Sequence, residues 1–264
     1  IGAGLSSSAA ISVAAARALS QVAGRRLSRE ALVEVAYHAE HDVVGVQCGR
    51  MDQMIVVHAT ARHAALIETA EGSLTQIPFD QPVLIFETGV SHRLADGEYN
   101  RRRGECGAAL AACRVAGVEV ADLAGVPEPE LERLRAGMPA VLHRRLTHVV
   151  RESARTRAAA MALSVRDYPK FGEYLVEGHR SIRDDFESSC GEADRLVESA
   201  VRHGAWGARL TGAGWGGAVL VMAPPDRLAS LTSGVSADFR REVGRAPRVW
   251  KARASAGVRG ERAG

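Results

Sequence analysis

Residues 2–10 read GAGLSSSAA, a loop of small residues that leads directly into an apolar helix predicted over 6–22. Glycines let backbone N–H groups approach phosphate oxygens closely, and the helix that follows presents its positive end to the same anion. The hydroxyls of Ser6, Ser7 and Ser8 add donors, and a serine oxygen can ligate Mg²⁺. A capped helix start also explains this pattern, so the stretch alone is weak evidence for a phosphate site.

A second glycine-rich stretch, GARLTGAGWGG at residues 207–217, lies between two predicted strands. Five of its eleven residues are glycine, and each glycine costs conformational entropy on folding. An ordinary hairpin turn explains two of these glycines but not five. We therefore predict that residues 211–217 form a loop that contacts a ligand.

A third stretch, EHDVVGVQCGRMDQ at residues 40–53, carries two carboxylates, Glu40 and Asp52, on either side of a glycine-broken turn. Such a turn folds Asp52 back toward the end of the preceding helix, which is predicted over 28–44 with Ser28 as its cap. One carboxylate can then hold a metal while the other faces a hydroxyl. The alternative is a solvated helix end without a function.

The rest of the chain mixes strands and helices. Strands are predicted at 64–68, 73–78, 83–88, 205–211, 217–222 and 248–254. Helices dominate from residue 96 to about 203, and another begins near Asp226. This order without a regular alternation predicts an α+β fold, with a first domain at 1–89 and a second at 90–264.

Composition excludes several classes of protein. The 264 residues are 46% hydrophobic and 25% charged with a net charge of +3, and no apolar run is long enough for a membrane span. Nucleic acid is not an expected partner, because the basic residues are scattered among 31 acidic ones. Lysine occurs only at Lys170 and Lys251, outside any Walker A, protein-kinase or pyridoxal context. Four cysteines without a CxxC pair predict a reducing, cytoplasmic location.

Taken together, the three stretches resemble the second motif, the catalytic-acid segment and the third motif of the GHMP small-molecule kinases. Within that superfamily they are most similar to the galactokinase family. The segments VSHRL at 90–94, GEYN at 97–100, FGE at 171–173 and HRSIRDD at 179–185 are similar to the same family, in the same order. The resemblance implies a two-lobed GHMP kinase fold that lacks its N-terminal strands and first motif.

The resemblance also implies a role for each matching residue. ATP would be bound by Gly2, Ala3, Gly4, Leu5, Ser6, Ser7, Ser8, Gly212 and Gly214. Ser8 and Glu40 would hold Mg²⁺, and Asp52 would act as the base at the C1 hydroxyl of galactose or a related sugar. Gly49 and Tyr99 would join Asp52 in binding the sugar. We expect a monomer that takes part in galactose metabolism.

Three departures from the family pattern stand out. The first motif, an Arg-Val-Asn-x-Ile-Gly-Glu-His-x-Asp-Tyr segment, is absent, so the chain looks cut upstream and residues 1–264 alone are expected to be inactive. Gln47 replaces a usual proline, and Trp215 replaces a usual phenylalanine.

Two alternatives remain open. The first is another GHMP kinase, acting on a different sugar, mevalonate or homoserine. The second is a catalytically inactive sensor of sugar and ATP. The three arginines at 101–103 are interpreted as a solvated helix face.

Overall fold

Three helices form the N-terminal part of the computed structural model, which describes residues 4–45, 48–90 and 95–259. Their bounds are Ser7–Val22 (α1), Arg29–His38 (α2) and Met51–His58 (α3), and a π-helical turn, Ala39–Val43, continues α2. Buried aliphatic side chains of all three helices pack together, among them Val13, Leu32 and Val57. The Ser28 hydroxyl accepts a hydrogen bond from the Ala31 N–H at 3.1 Å, which confirms the predicted cap.

Two antiparallel sheets follow. Strands His63–Glu68 (β1) and Ser73–Pro78 (β2) form a hairpin. The larger sheet has four strands in the order β4-β5-β3-β6, with bounds Val83–Glu87 (β3), Gly207–Leu210 (β4), Ala218–Met222 (β5) and Val249–Ala252 (β6). All its pairings are antiparallel. The boundary near residue 90 stays a prediction, although β3, on its N-terminal side, pairs with two strands from the far end of the chain.

The remaining helices divide between this sheet and a second core. Their bounds are Ala95–Val115 (α4), Glu130–Arg135 (α5), Ala140–Ser164 (α6), Tyr168–Asp184 (α7), Gly191–Arg202 (α8) and Leu228–Val243 (α9). Helices α8 and α9 cover the four-stranded sheet, where Phe86, Leu196 and Phe239 are buried in one cluster. Helices α4, α5 and α6 bury a separate cluster that includes Cys113 and Leu146.

The fold confirms the α+β prediction and most predicted elements to within two or three residues. Helix α3 is a difference from the sequence prediction, which has only a glycine-broken turn between Glu40 and Asp52. Among the described residues, no helix is both long enough and apolar enough to cross a membrane.

Candidate active site

The two glycine-rich loops meet, although they come from opposite ends of the chain. The Thr211 hydroxyl donates to the Gly4 carbonyl oxygen at 3.3 Å, and a Cβ on Gly212 would lie only 2.8 Å from that same oxygen. Gly4, Gly212 and Gly214 all have positive φ values, of 68°, 75° and 101°. The positive φ values favour glycine at all three positions, and the close approach of the two loops leaves no room for a Cβ at Gly212. A simple hairpin turn would not need so many glycines.

Three consecutive serines, Ser6, Ser7 and Ser8, stand at the start of α1. Ser6 lies in the left-handed region, with φ 55°, and its side chain makes no capping hydrogen bond within the described structure. Ser7 is half-buried and Ser8 is exposed. A left-handed conformation is costly for a residue other than glycine and is concentrated at functional sites. The local geometry thus differs from the serine-capped helix start that was the alternative interpretation.

Glu40 and Asp52 are connected through a buried glutamine. The Gln53 amide donates to Glu40 Oε1 at 3.0 Å, and the two side chains are only 1% and 8% exposed, respectively. Asp52 immediately precedes Gln53 in α3 and is half-buried. The chain therefore folds back as predicted and brings the segments of the two carboxylates together.

Tyr99 shares the electrostatic environment of Asp52. Burial raises the pKa of the Tyr99 phenol; the Arg103 guanidinium opposes this shift, while Cys48 and Asp52 add to it. Burial likewise raises the pKa of the Cys48 thiol, with Glu40 and Asp52 contributing. Tyr99 from α4 therefore shares its electrostatic environment with Asp52.

The donor set around Glu40 fits Mg²⁺. Within the residues that the structure describes, no group of three or more His, Cys, Asp or Glu side chains is arranged to hold a metal. Magnesium needs only one or two protein carboxylates, because water and phosphate oxygens complete its shell. The buried Oε1 of Gln53 also has no hydrogen-bond partner in the described structure, so it can accept from one further group beside Glu40.

Among the residues that the structure describes, Leu5 and Gly49 show no contact that assigns them a role. Gly2 and Ala3 lie outside the described residues. Leu5 is 44% exposed, and Gly49 is exposed with open space where a Cβ would lie.

The interpretation of residues 101–103 as a solvated face is wrong for Arg102. Its side chain is buried, whereas Arg101 is exposed. Neighbouring residues on a helix point about 100° apart, and Arg102 points inward, where it pairs with Glu105 at 2.5 Å. The Arg-x-x-Glu spacing is a signal in the sequence for the ion pair with Glu105, but not for the burial of Arg102.

Comparison with known proteins gives a consistent result. The model of the GHMP kinases N terminal domain matches residues 1–60, and that of the GHMP kinases C terminal domain matches residues 158–241. A galactokinase of Chloroflexus aggregans is 37% identical over 260 residues, which are 97% of this chain and 67% of that protein. A galactokinase of Streptomyces coelicolor is 39% identical over 267 residues, covering 98% and 67%.

Solved structures agree with the sequence comparison. The galactokinase of Lactococcus lactis, complexed with galactose, superposes with a TM-score of 0.92 at 27% identity, over 97% of this chain and 67% of that one. The mevalonate kinase of L. major, in complex with R-mevalonate, gives 0.64 at 18% identity, over 96% and 67%. The second likeness shows the shared fold only.

Proposed function

Because the chain belongs to the galactokinase family of GHMP kinases, we propose that its site transfers the γ-phosphoryl group of MgATP to the C1 hydroxyl of galactose. Two contacts carry this proposal. The loop at Gly4 touches the loop at 211–217, and Glu40 in the π-helical turn accepts a hydrogen bond from Gln53, which follows Asp52 in α3. Phosphoryl transfer depends mainly on positioning and on charge stabilisation, which such an arrangement supplies.

The nucleotide phosphates would bind where the two glycine loops meet. Backbone N–H groups at the start of α1 are free of intrahelical partners and point toward an anion. The hydroxyls of Ser7 and Ser8 add donors at the same end. The contact between Thr211 and Gly4 supports the 211–217 loop as the opposite wall of this site.

Glu40 and Ser8 are the residues that would hold Mg²⁺. When bound, the ion would neutralise charge on the phosphate oxygens. Helix α1 packs against both the π-helical turn and α3, which supports a shared site for these two residues. Gln53 donates a hydrogen bond to one carboxylate oxygen of Glu40, which would hold this side chain in place for the ion.

Asp52 would accept the proton of the sugar hydroxyl, and Tyr99 would hydrogen-bond the sugar. A general base must lie within hydrogen-bond reach of the proton that it removes. The effect of Asp52 on the pKa of the Tyr99 phenol supports a sugar site that the two residues share.

The proposal is tested with a chain that carries the upstream first-motif segment. A coupled assay of ATP consumption with a panel of hexoses, mevalonate and homoserine should show turnover with galactose. Calorimetry on the same sample separates the two remaining alternatives. Binding of galactose and ATP without phosphorylation of any hexose would identify a sensor, and turnover with mevalonate or homoserine instead would identify another GHMP kinase.

A further inference from the structure

Four charged side chains form a cluster between α4, α6 and the segment that follows α7, and its two arginines are buried. We call Arg102, Glu105, Arg145 and Glu187 the arginine clamp. Arg145 is fully buried; it donates to Glu105 at 2.7 Å, to Glu187 Oε2 at 2.6 Å and to the Asp185 carbonyl at 2.5 Å. Arg102 donates to Glu105 Oε2 at 2.5 Å and to the Glu187 carbonyl at 3.2 Å. The clamp thus holds residues 185–187 against two helices.

The segment that the clamp holds supports the second glycine loop. The Trp215 N–H donates to the Ser188 carbonyl at 2.6 Å, and a Cβ on Gly214 would overlap that same carbonyl. Trp215 itself has a positive φ of 54°, so its backbone is held in a costly conformation. The position of the 211–217 loop therefore depends on where Ser188 lies.

Arg102 also contacts the glycine loop directly. Its guanidinium lies 5.8 Å from the centre of the Trp215 ring and 5.5 Å from that of Phe186. A guanidinium attracts an aromatic face at such distances. Arg102 is three residues after Tyr99, so the two side chains lie on one face of α4. This face of α4 thus carries Tyr99, which shares the electrostatic environment of Asp52. It also carries Arg102, which contacts the 211–217 loop that touches Gly4.

We propose that Arg102 is a positioning residue for the nucleotide site, which sets the 211–217 loop against Gly4 through Trp215 and the 185–188 segment. This inference rests on the proposed function, since it assigns the loop to nucleotide binding. Arginine is suited to this task because its planar fork makes two directed hydrogen bonds and stacks at the same time. A lysine keeps the charge but cannot do all three.

Calorimetric titration of MgADP into the full-length protein tests the inference. We expect Arg102→Lys to weaken MgADP binding on the order of tenfold, the effect of losing one charged hydrogen bond. The matched control is Arg101→Lys, because Arg101 neighbours it and also pairs with Glu105 but is exposed; its affinity should stay within about twofold of wild type. Calorimetry reports the number of sites separately from the affinity, so partial unfolding is not mistaken for weak binding.

A second variant covers the case in which Arg102→Lys does not fold. Trp215→Leu leaves the clamp intact and removes the ring that Arg102 contacts, so we expect a comparable loss of MgADP affinity. Wild-type affinity in the folded Arg102→Lys protein, or in Trp215→Leu if the first variant does not fold, would overturn the inference alone. A wild type that binds no MgADP would contradict the proposed function as well.

Discussion

Gln53 shows how one side chain organises the candidate site. Gln53 follows Asp52 in α3, and its side-chain amide donates a hydrogen bond to Glu40. Its side-chain oxygen is buried and has no hydrogen-bond partner in the described structure. Leaving a buried polar atom unsatisfied costs about 1–3 kcal/mol. A bound group that donates a hydrogen bond to this oxygen would recover that cost.

The Tyr99 hydroxyl is expected to contribute to sugar binding. Tyr99→Phe should weaken galactose binding by about 0.5–1.5 kcal/mol, the value of a neutral hydrogen bond. Calorimetry with galactose measures this change. Tyr174→Phe, on α7 beside Lys170, is the matched control and should bind galactose as the wild type does. Equal affinities for all three proteins would remove Tyr99 from the sugar site.

His148 makes the stability of the helical region depend on pH. Burial lowers its pKa from 6.5 to about 4. It contacts Ser181 at 3.0 Å and stacks on Phe186. Because Ser181 donates to Asp185, its oxygen accepts from the neutral imidazole. The folded protein therefore binds this proton less readily than the unfolded chain, and stability falls as the pH decreases from about 6.5 toward 4.

Urea denaturation at pH 7 and at pH 5 measures this effect. The wild type should lose about 2 kcal/mol more free energy of unfolding between the two values than His148→Gln, which does not titrate. Equal losses in both proteins would show that the imidazole is not the group responsible.

At the scale of the elements, helix α7 and strand β4 touch through their backbones. A Cβ on Gly172 would overlap the Trp206 carbonyl, and one on Gly207 would overlap the carbonyl of Gly172. In contrast, Gly107 in α4 is exposed and has open space around its missing Cβ. Packing therefore requires glycine at position 172, whereas nothing around position 107 requires it.

Alanine substitutions separate these two cases. Gly172→Ala should lower the free energy of unfolding by about 1–3 kcal/mol, since the backbone of β4 must move. Gly107→Ala should raise it by about 0.5–1 kcal/mol, because alanine favours a helix. Thermal and urea denaturation measure both changes. A Gly172→Ala protein as stable as wild type would contradict the close contact of α7 with β4.

Local patterns predicted the elements well, and non-local contacts set the limits of that prediction. Ser28 and the alternation in residues 73–78 are local signals, and both elements were placed correctly. Helix α3 has no side-chain cap at Arg50, so its start carries no such signal. The number of glycines was enough to predict the loops at residues 2–8 and 211–217. The burial of Arg102 depends on Glu187 and Trp215, which lie far away in sequence.

At the scale of the whole molecule, segments from both ends of the described chain contact elements that carry candidate site residues. Gly4 contacts the 211–217 loop. The N–H groups of Gly257 and Val258 donate to the carbonyls of Ala59 and Val56, both at 2.8 Å. The C-terminal segment thus packs along the end of α3, the helix that carries Asp52. Residues near the C-terminal end of the described chain thus help to hold in place the helix that carries Asp52.

Turnover and binding by Asp52→Asn, in a chain with the upstream segment, test the central claim most directly. An amide keeps the size and one acceptor oxygen of the carboxylate, but it cannot take the hydroxyl proton. We predict that galactose-dependent ATP consumption falls by on the order of 10²-fold or more, while calorimetry shows galactose and MgATP binding within a few fold of wild type. Wild-type turnover by Asp52→Asn would contradict the account.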